Sequence, residues 1–146
     1  MLGPKAIQTL HNKRIFILED NIHNRVIFTM TLMTCNVQME FERWGRQTLQ
    51  KLEFFMPVDL IILDLMLPNG KTGYDTFTEI RSHRAYDHIP IIAVSAAEPA
   101  TALPKAREMG FAGFISKPID DELFPQQVAQ VIAGQHVWYA GERYQG

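Results

Sequence analysis

The sequence predicts an α/β protein, a doubly wound sheet of five parallel strands, and three observations point there. Five short apolar runs rich in β-branched residues recur along the chain, and stretches with helical spacing separate them. Two of the runs, 58–63 and 90–95, are apolar almost without interruption, as strands buried on both faces must be. Repeated β-α units joined by right-handed crossovers favour an open sheet covered by helices on both sides. Such sheets gather their chemistry at the carboxyl ends of the strands.

The first run is 14–18, and after it Val26, Ile27, Met30 and Met33 recur at helical spacing, predicting a helix that buries this stripe. A second run at 37–41 leads to a helix over 46–55, and the third run, 58–63, to a helix over 74–83. After the fourth run, 90–95, the next segment contains Pro99 and Pro104. An interior proline costs a helix about 3 kcal/mol, so regular helix is expected only from about 104 to 109, with Gly110 ending it. The fifth run is 112–116. The last helix covers 126–133, with Pro125 in its first turn behind Asp120, Asp121 and Glu122, and Gly134 at its stop.

No repeat, low-complexity tract or linker divides the chain. Residues 1–12 read as an N-terminal extension, 13–134 as the domain, and 135–146 as a C-terminal tail too short for an effector domain. Packing on the domain itself is favoured for the tail aromatics Trp138, Tyr139 and Tyr144, while a homodimer interface and a partner contact stay open.

Length and composition agree with one domain: 146 residues, 47% of them hydrophobic and 21% charged. Fourteen basic against sixteen acidic residues give a formal charge of −2, which argues against direct binding of nucleic acid or an anionic membrane. No stretch resembles a signal peptide or a membrane span, and Cys35 has no partner for an intrachain disulfide, so a cytoplasmic protein is expected. Cys35 reads as a small core residue, and the five histidines show no metal-site spacing.

The strand ends carry Glu19-Asp20-Asn21, Asp64, Ser95 and Lys117-Pro118, and a doubly wound fold brings these together. Crowded carboxylates repel one another unless a hard divalent cation neutralises them, and Mg²⁺ takes such oxygen ligands. A carboxylate beside that cation and an ammonium is suited to attack phosphorus in line. Taken singly, an acidic residue could cap a helix, Ser95 could end a strand, and Lys117 could be a solvated charge. Their conjunction at four strand ends favours the site.

The segments ILEDN (17–21), LIILDLMLPNG (60–70), IIAVSA (91–96) and GFISKPI (113–119) resemble the signatures of response regulator receiver domains in order and spacing, over about residues 13–134. The resemblance implies a flavodoxin-like (βα)5 fold with strand order 2-1-3-4-5. It implies Asp64 as phosphoacceptor, with Mg²⁺ held by Glu19, Asp20, Asp64 and the Met66 backbone carbonyl, directly or through water. It also implies Lys117 as partner of the phosphoryl group, Ser95 and Phe114 as switching hydroxyl and aromatic, and a Lys117–Pro118 bond that is often cis. The donor would be a sensor histidine kinase or a histidine phosphotransfer protein, the output an unknown protein partner, and the only catalysis that of the domain's own phosphorylation and dephosphorylation.

Two departures stand out: the proline-containing segment after the fourth strand, and a 65–72 loop one residue longer than usual, its turn marked by Pro68, Asn69 and Gly70. A hydrolase of the haloacid-dehalogenase type would need a second aspartate where Met66 stands, which disfavours turnover. A scaffold that binds partners without phosphorylation is opposed by the complete acidic, hydroxyl and lysine set, and no phosphate-binding glycine motif supports a nucleotide site. Met66 and Ala97 cannot orient an attacking water, so a phosphoryl group on Asp64 is expected to be lost slowly.

Overall fold

Strand β1 (Arg14–Leu18) lies inside the sheet, flanked by a strand on each side, with every residue but Arg14 buried. It is followed in the chain by β2 (Gln38–Glu42), β3 (Leu60–Leu63), β4 (Ile91–Ser95), β5 (Gly113–Ser116) and β6 (Val137–Tyr139). All pairings are parallel, in the order β2-β1-β3-β4-β5-β6. The computed structural model describes residues 4–67 and 70–141, so Pro68, Asn69 and Tyr144 lie outside the described residues.

The first five strands stand in the expected order, but the expected count of five is corrected by β6, which the tail contributes. It pairs Gly113 with Val137, Phe114 with Trp138 and Ile115 with Tyr139. Three residues are too few to show an alternating pattern, so the sequence does not announce this strand. Residues 4–10 likewise form a helix, α1 (Pro4–Leu10), whose Leu10 is fully buried.

Side chains alternate across the strands and divide the core between two faces. On one face Phe16, Leu18, Ile61 and Leu63 meet α3 (Thr48–Phe55), α4 (Gly73–Arg81) and α5 (Pro99–Met109) through Leu52, Phe77 and Leu103. On the other, Ile15, Ile17, Ile62 and Val94 meet α1, α2 (Ile22–Leu32) and α6 (Phe124–Ile132) through Leu10, Phe28, Phe124 and Val128. Each such fully buried side chain contributes about 1.5–3 kcal/mol.

Two expectations about helices are corrected. In α2 the core face is Phe28 and Leu32, while Ile27 is half-buried, and Val26, Met30 and, just past the helix end, Met33 are 49%, 66% and 59% exposed. Apolar residues lie all round this helix, so spacing alone does not select the buried stripe. The helix after β4 runs the full 99–109 span and is not confined to its second half. Pro99 sits in its first turn, where no amide bond is lost. Pro104 and Ala100 both lie on the exposed face, so the interior proline disturbs no buried packing, while buried Ala102, Leu103 and Ala106 hold the helix on the sheet.

Loops at the carboxyl edge are fixed by side chains. The buried Glu42 carboxylate accepts from the backbone N–H groups of Trp44, Gly45 and Gln47, ordering the β2–α3 turn. Thr72 and Asp75 form a reciprocal cap at the start of α4, and Lys71 Nζ bridges Glu79 and the Gly45 carbonyl at 2.7 Å each.

Candidate functional site: an acidic pocket at the strand ends

Ladder bonds continue past three strand ends and fix the residues that follow them. Glu19 N donates to Glu42 O at 3.0 Å, Asp64 N to Leu18 O at 3.0 Å, and Lys117 N to Ser95 O at 2.9 Å. Glu19 and Asp64 therefore leave neighbouring strands side by side, and Lys117 reaches them from the end of β5, two strands beyond β3.

Lys117 Nζ donates to Glu19 Oε1 at 2.5 Å and to Asp64 Oδ2 at 2.9 Å. The other oxygens are also held: Asn21 N donates to Glu19 Oε2 at 3.2 Å, and Met66 N to Asp64 Oδ1 at 3.1 Å. Asn21 in turn caps α2 through Asn24 N, so helix start and acidic site share one turn. Glu19, Asp20 and Asp64 each offer a carboxylate oxygen within 4.8 Å of the others.

Burial raises the Glu19 carboxyl above its ordinary value despite the Lys117 ammonium. Burial opposes the charge on Lys117 as well, but Asp64 and Glu19 outweigh it and raise that pKa. Three carboxylates gather around one ammonium, so the pocket carries excess negative charge when they are ionised. An all-oxygen donor set with uncompensated charge fits a hard divalent cation such as Mg²⁺, held by Glu19, Asp20 and Asp64.

Ser95 ends β4 fully buried, its hydroxyl accepting from Ala97 N at 3.2 Å. It stands opposite Ser116, the residue before Lys117. Phe114 is fully buried in β5, next to β6. The Lys117–Pro118 bond is cis. Met66 is 60% exposed beside the acceptor, and a groove of about 530 Å³ lined by Ile27, Phe28, Ala96 and Lys117 leads in from α2.

One residue of the site escaped the sequence reading. A Cβ built on Gly73 would lie 2.2 Å from the Asp64 carbonyl oxygen and 2.8 Å from Leu65 Cα. Only glycine lets α4 begin against the backbone of Asp64, and its N–H donates to Leu65 O at 3.1 Å. The signal available in sequence was a second glycine three residues after Gly70, which by itself reads as more of the same turn.

The model for the response regulator receiver domain matches residues 15–129. A two-component response regulator of rice, ORR12, is 24% identical over 110 residues, 75% of this chain and 90% of the relative. Hybrid signal transduction histidine kinase D of Dictyostelium discoideum is also 24% identical, over 90% of this chain but only 9% of its own length. Among solved structures, the chemotaxis response regulator CheY4 of Vibrio cholerae shares the fold with a TM-score of 0.70 at 22% identity, over 83% of this chain and 98% of that one. A response regulator of Chloroflexus aurantiacus aligns with a TM-score of 0.76 at 22% identity, covering 84% and 98%. The chain belongs to the response regulator receiver domain family of two-component signal transduction.

Proposed function

We propose that Asp64 accepts a phosphoryl group from a phosphohistidine of a sensor histidine kinase or histidine phosphotransfer protein, and that the modified domain changes its affinity for an output partner. The observation that carries this reading is the convergence of Glu19, Asp20 and Lys117 on the buried Asp64 carboxylate. In the transfer, an Asp64 carboxylate oxygen forms the new O–P bond as the P–N bond breaks, and the departing imidazole keeps the electron pair and takes a proton from water. Lys117 is positioned to balance charge on a phosphoryl oxygen, and the Ser95 hydroxyl to donate to another. Glu19, Asp20, Asp64 and the Met66 carbonyl would hold Mg²⁺, which would supply neutralisation of phosphoryl charge.

The exposed apolar ridge of Ile22, Val26 and Met30 lies on α2, the same helix whose Ile27 and Phe28 line the groove beside Lys117, which supports docking of the donor protein there. Ser95 and Phe114 would carry the switch, through loss of the Ser95 bond to Ala97 N. Met66 and Ala97 offer no polar group to orient water, which supports a slowly hydrolysed acyl phosphate. Among the described residues no helix is long and apolar enough to cross a membrane. Incubation with acetyl phosphate and Mg²⁺ tests the reading: the wild-type protein is expected to gain one phosphoryl group and Asp64→Asn none. Equal labelling of the variant would remove Asp64 as acceptor.

A further inference from the structure

Strand β6 is the least secured element of the sheet. It has three residues, all of them half-buried, and its first amide donates to Ala112 O at 3.3 Å. It nevertheless lies directly against the centre of β5: Phe114 stands opposite Ala93 of β4 on one side and Trp138 of β6 on the other. Trp138 packs on the same core cluster that contains Phe114, with the Arg107 guanidinium of α5 over its ring at 4.7 Å. The close approach is built into the sequence, because a Cβ on Gly113 would lie 2.6 Å from the Val137 carbonyl oxygen.

We propose that β6 is a latch on the sheet edge, released from β5 when Asp64 is phosphorylated, with Trp138 as the residue that senses Phe114. The proposal rests on the phosphoacceptor reading of Asp64. A phosphoryl oxygen that recruits the Ser95 hydroxyl takes it from Ala97 N, and the carboxyl ends of β4 and β5 readjust, since Ser95 faces Ser116. Phe114, two residues earlier, moves toward the vacated space and withdraws the surface on which Trp138 rests. A strand of three residues has a short pairing edge, so a change at Phe114, its central neighbour on β5, shifts its population. Release uncovers the β5 edge and the Arg107 flank of α5 together, which the resting protein covers with its own tail.

Trp44→Phe leaves Trp138 as the sole tryptophan. In that background the intact mass reports phosphorylation by acetyl phosphate and Mg²⁺, while Trp138 emission and amide exchange of 137–139 report the latch. Phosphorylation is expected to shift the emission to longer wavelength and to speed exchange at these amides by at least about tenfold. Gly113→Ala should produce the same two signatures without phosphorylation, and Asp64→Asn should show neither after treatment. A phosphorylated protein with unchanged emission and exchange overturns the latch while leaving the acceptor reading intact. Absence of any mass gain overturns the acceptor reading, and the latch with it.

Discussion

Gly73→Ala is the substitution in which packing and function are most tightly joined. The added methyl would meet the Asp64 carbonyl oxygen at 2.2 Å and the Asp64 carbonyl carbon at 2.9 Å, both backbone atoms that cannot rotate away. Reaching ordinary van der Waals separation requires the start of α4 or the end of β3 to move by about 1 Å. Overpacking of this kind costs about 1–3 kcal/mol, and backbone contact places it near the upper figure. For a chain of this length about 3 kcal/mol lowers Tm by roughly 6–12 °C, which leaves the protein folded at room temperature. A displacement of about 1 Å at an acceptor costs on the order of 100-fold in rate, so labelling by acetyl phosphate should fall by that factor. Thermal unfolding and single-turnover labelling measure the two effects. A variant that keeps the parent Tm would refute the packing argument. A destabilised variant that labels at the parent rate would refute the claim that Gly73 positions Asp64.

Other substitutions separate the remaining parts. Lys117→Met leaves Glu19 and Asp64 facing each other without the ammonium, and labelling should fall by about 10²–10³, followed by intact mass against time. Met30→Asp, on the exposed ridge of α2, should slow transfer from a phosphorylated donor protein about tenfold or more while leaving acetyl phosphate labelling and stability within about 0.5 kcal/mol of the parent. The backbone N–H of Thr72 holds the Asp75 carboxyl below its ordinary value of 3.8. A depressed carboxyl stabilises the fold above that ordinary value and loses its contribution as pH falls through the folded one. Denaturant midpoints of Asp75→Asn should therefore lie below those of the parent at neutral pH and converge on them in acid, and Thr72→Ala should cost about 1 kcal/mol.

The sheet and the acidic pocket were legible because long apolar strands and charged residues at their ends obey rules of period and topology that one sequence displays. Glu19, Asp64, Ser95 and Lys117 each follow or end an apolar run, and crossover handedness brings those ends to one edge. The buried face of α2 was not legible: Val26, Met30 and Met33 are as apolar as Phe28 and Leu32, and which stripe turns inward depends on Ile15, Ile17 and Phe124, which lie elsewhere in the chain. The length of α5 was not legible because a proline's cost depends on which face of the helix carries it, and Pro104 and Ala100 lie on the exposed one. Gly73 and Gly113 owe their identity to backbone atoms of Asp64 and Val137, contacts that exist only after folding. Strand β6 is held by its neighbour and carries no periodicity of its own.

The central claim is that the Asp64 carboxylate forms an acyl phosphate, and borohydride trapping reads this directly, because it reduces an acyl phosphate to the alcohol and leaves phosphoserine and phosphohistidine unreduced. After exposure to acetyl phosphate and Mg²⁺, peptide mass spectrometry is expected to find the reduced side chain at Asp64. Reduction at another carboxylate, or a phosphoryl group retained on serine or histidine with Asp64 unmodified, would contradict the account.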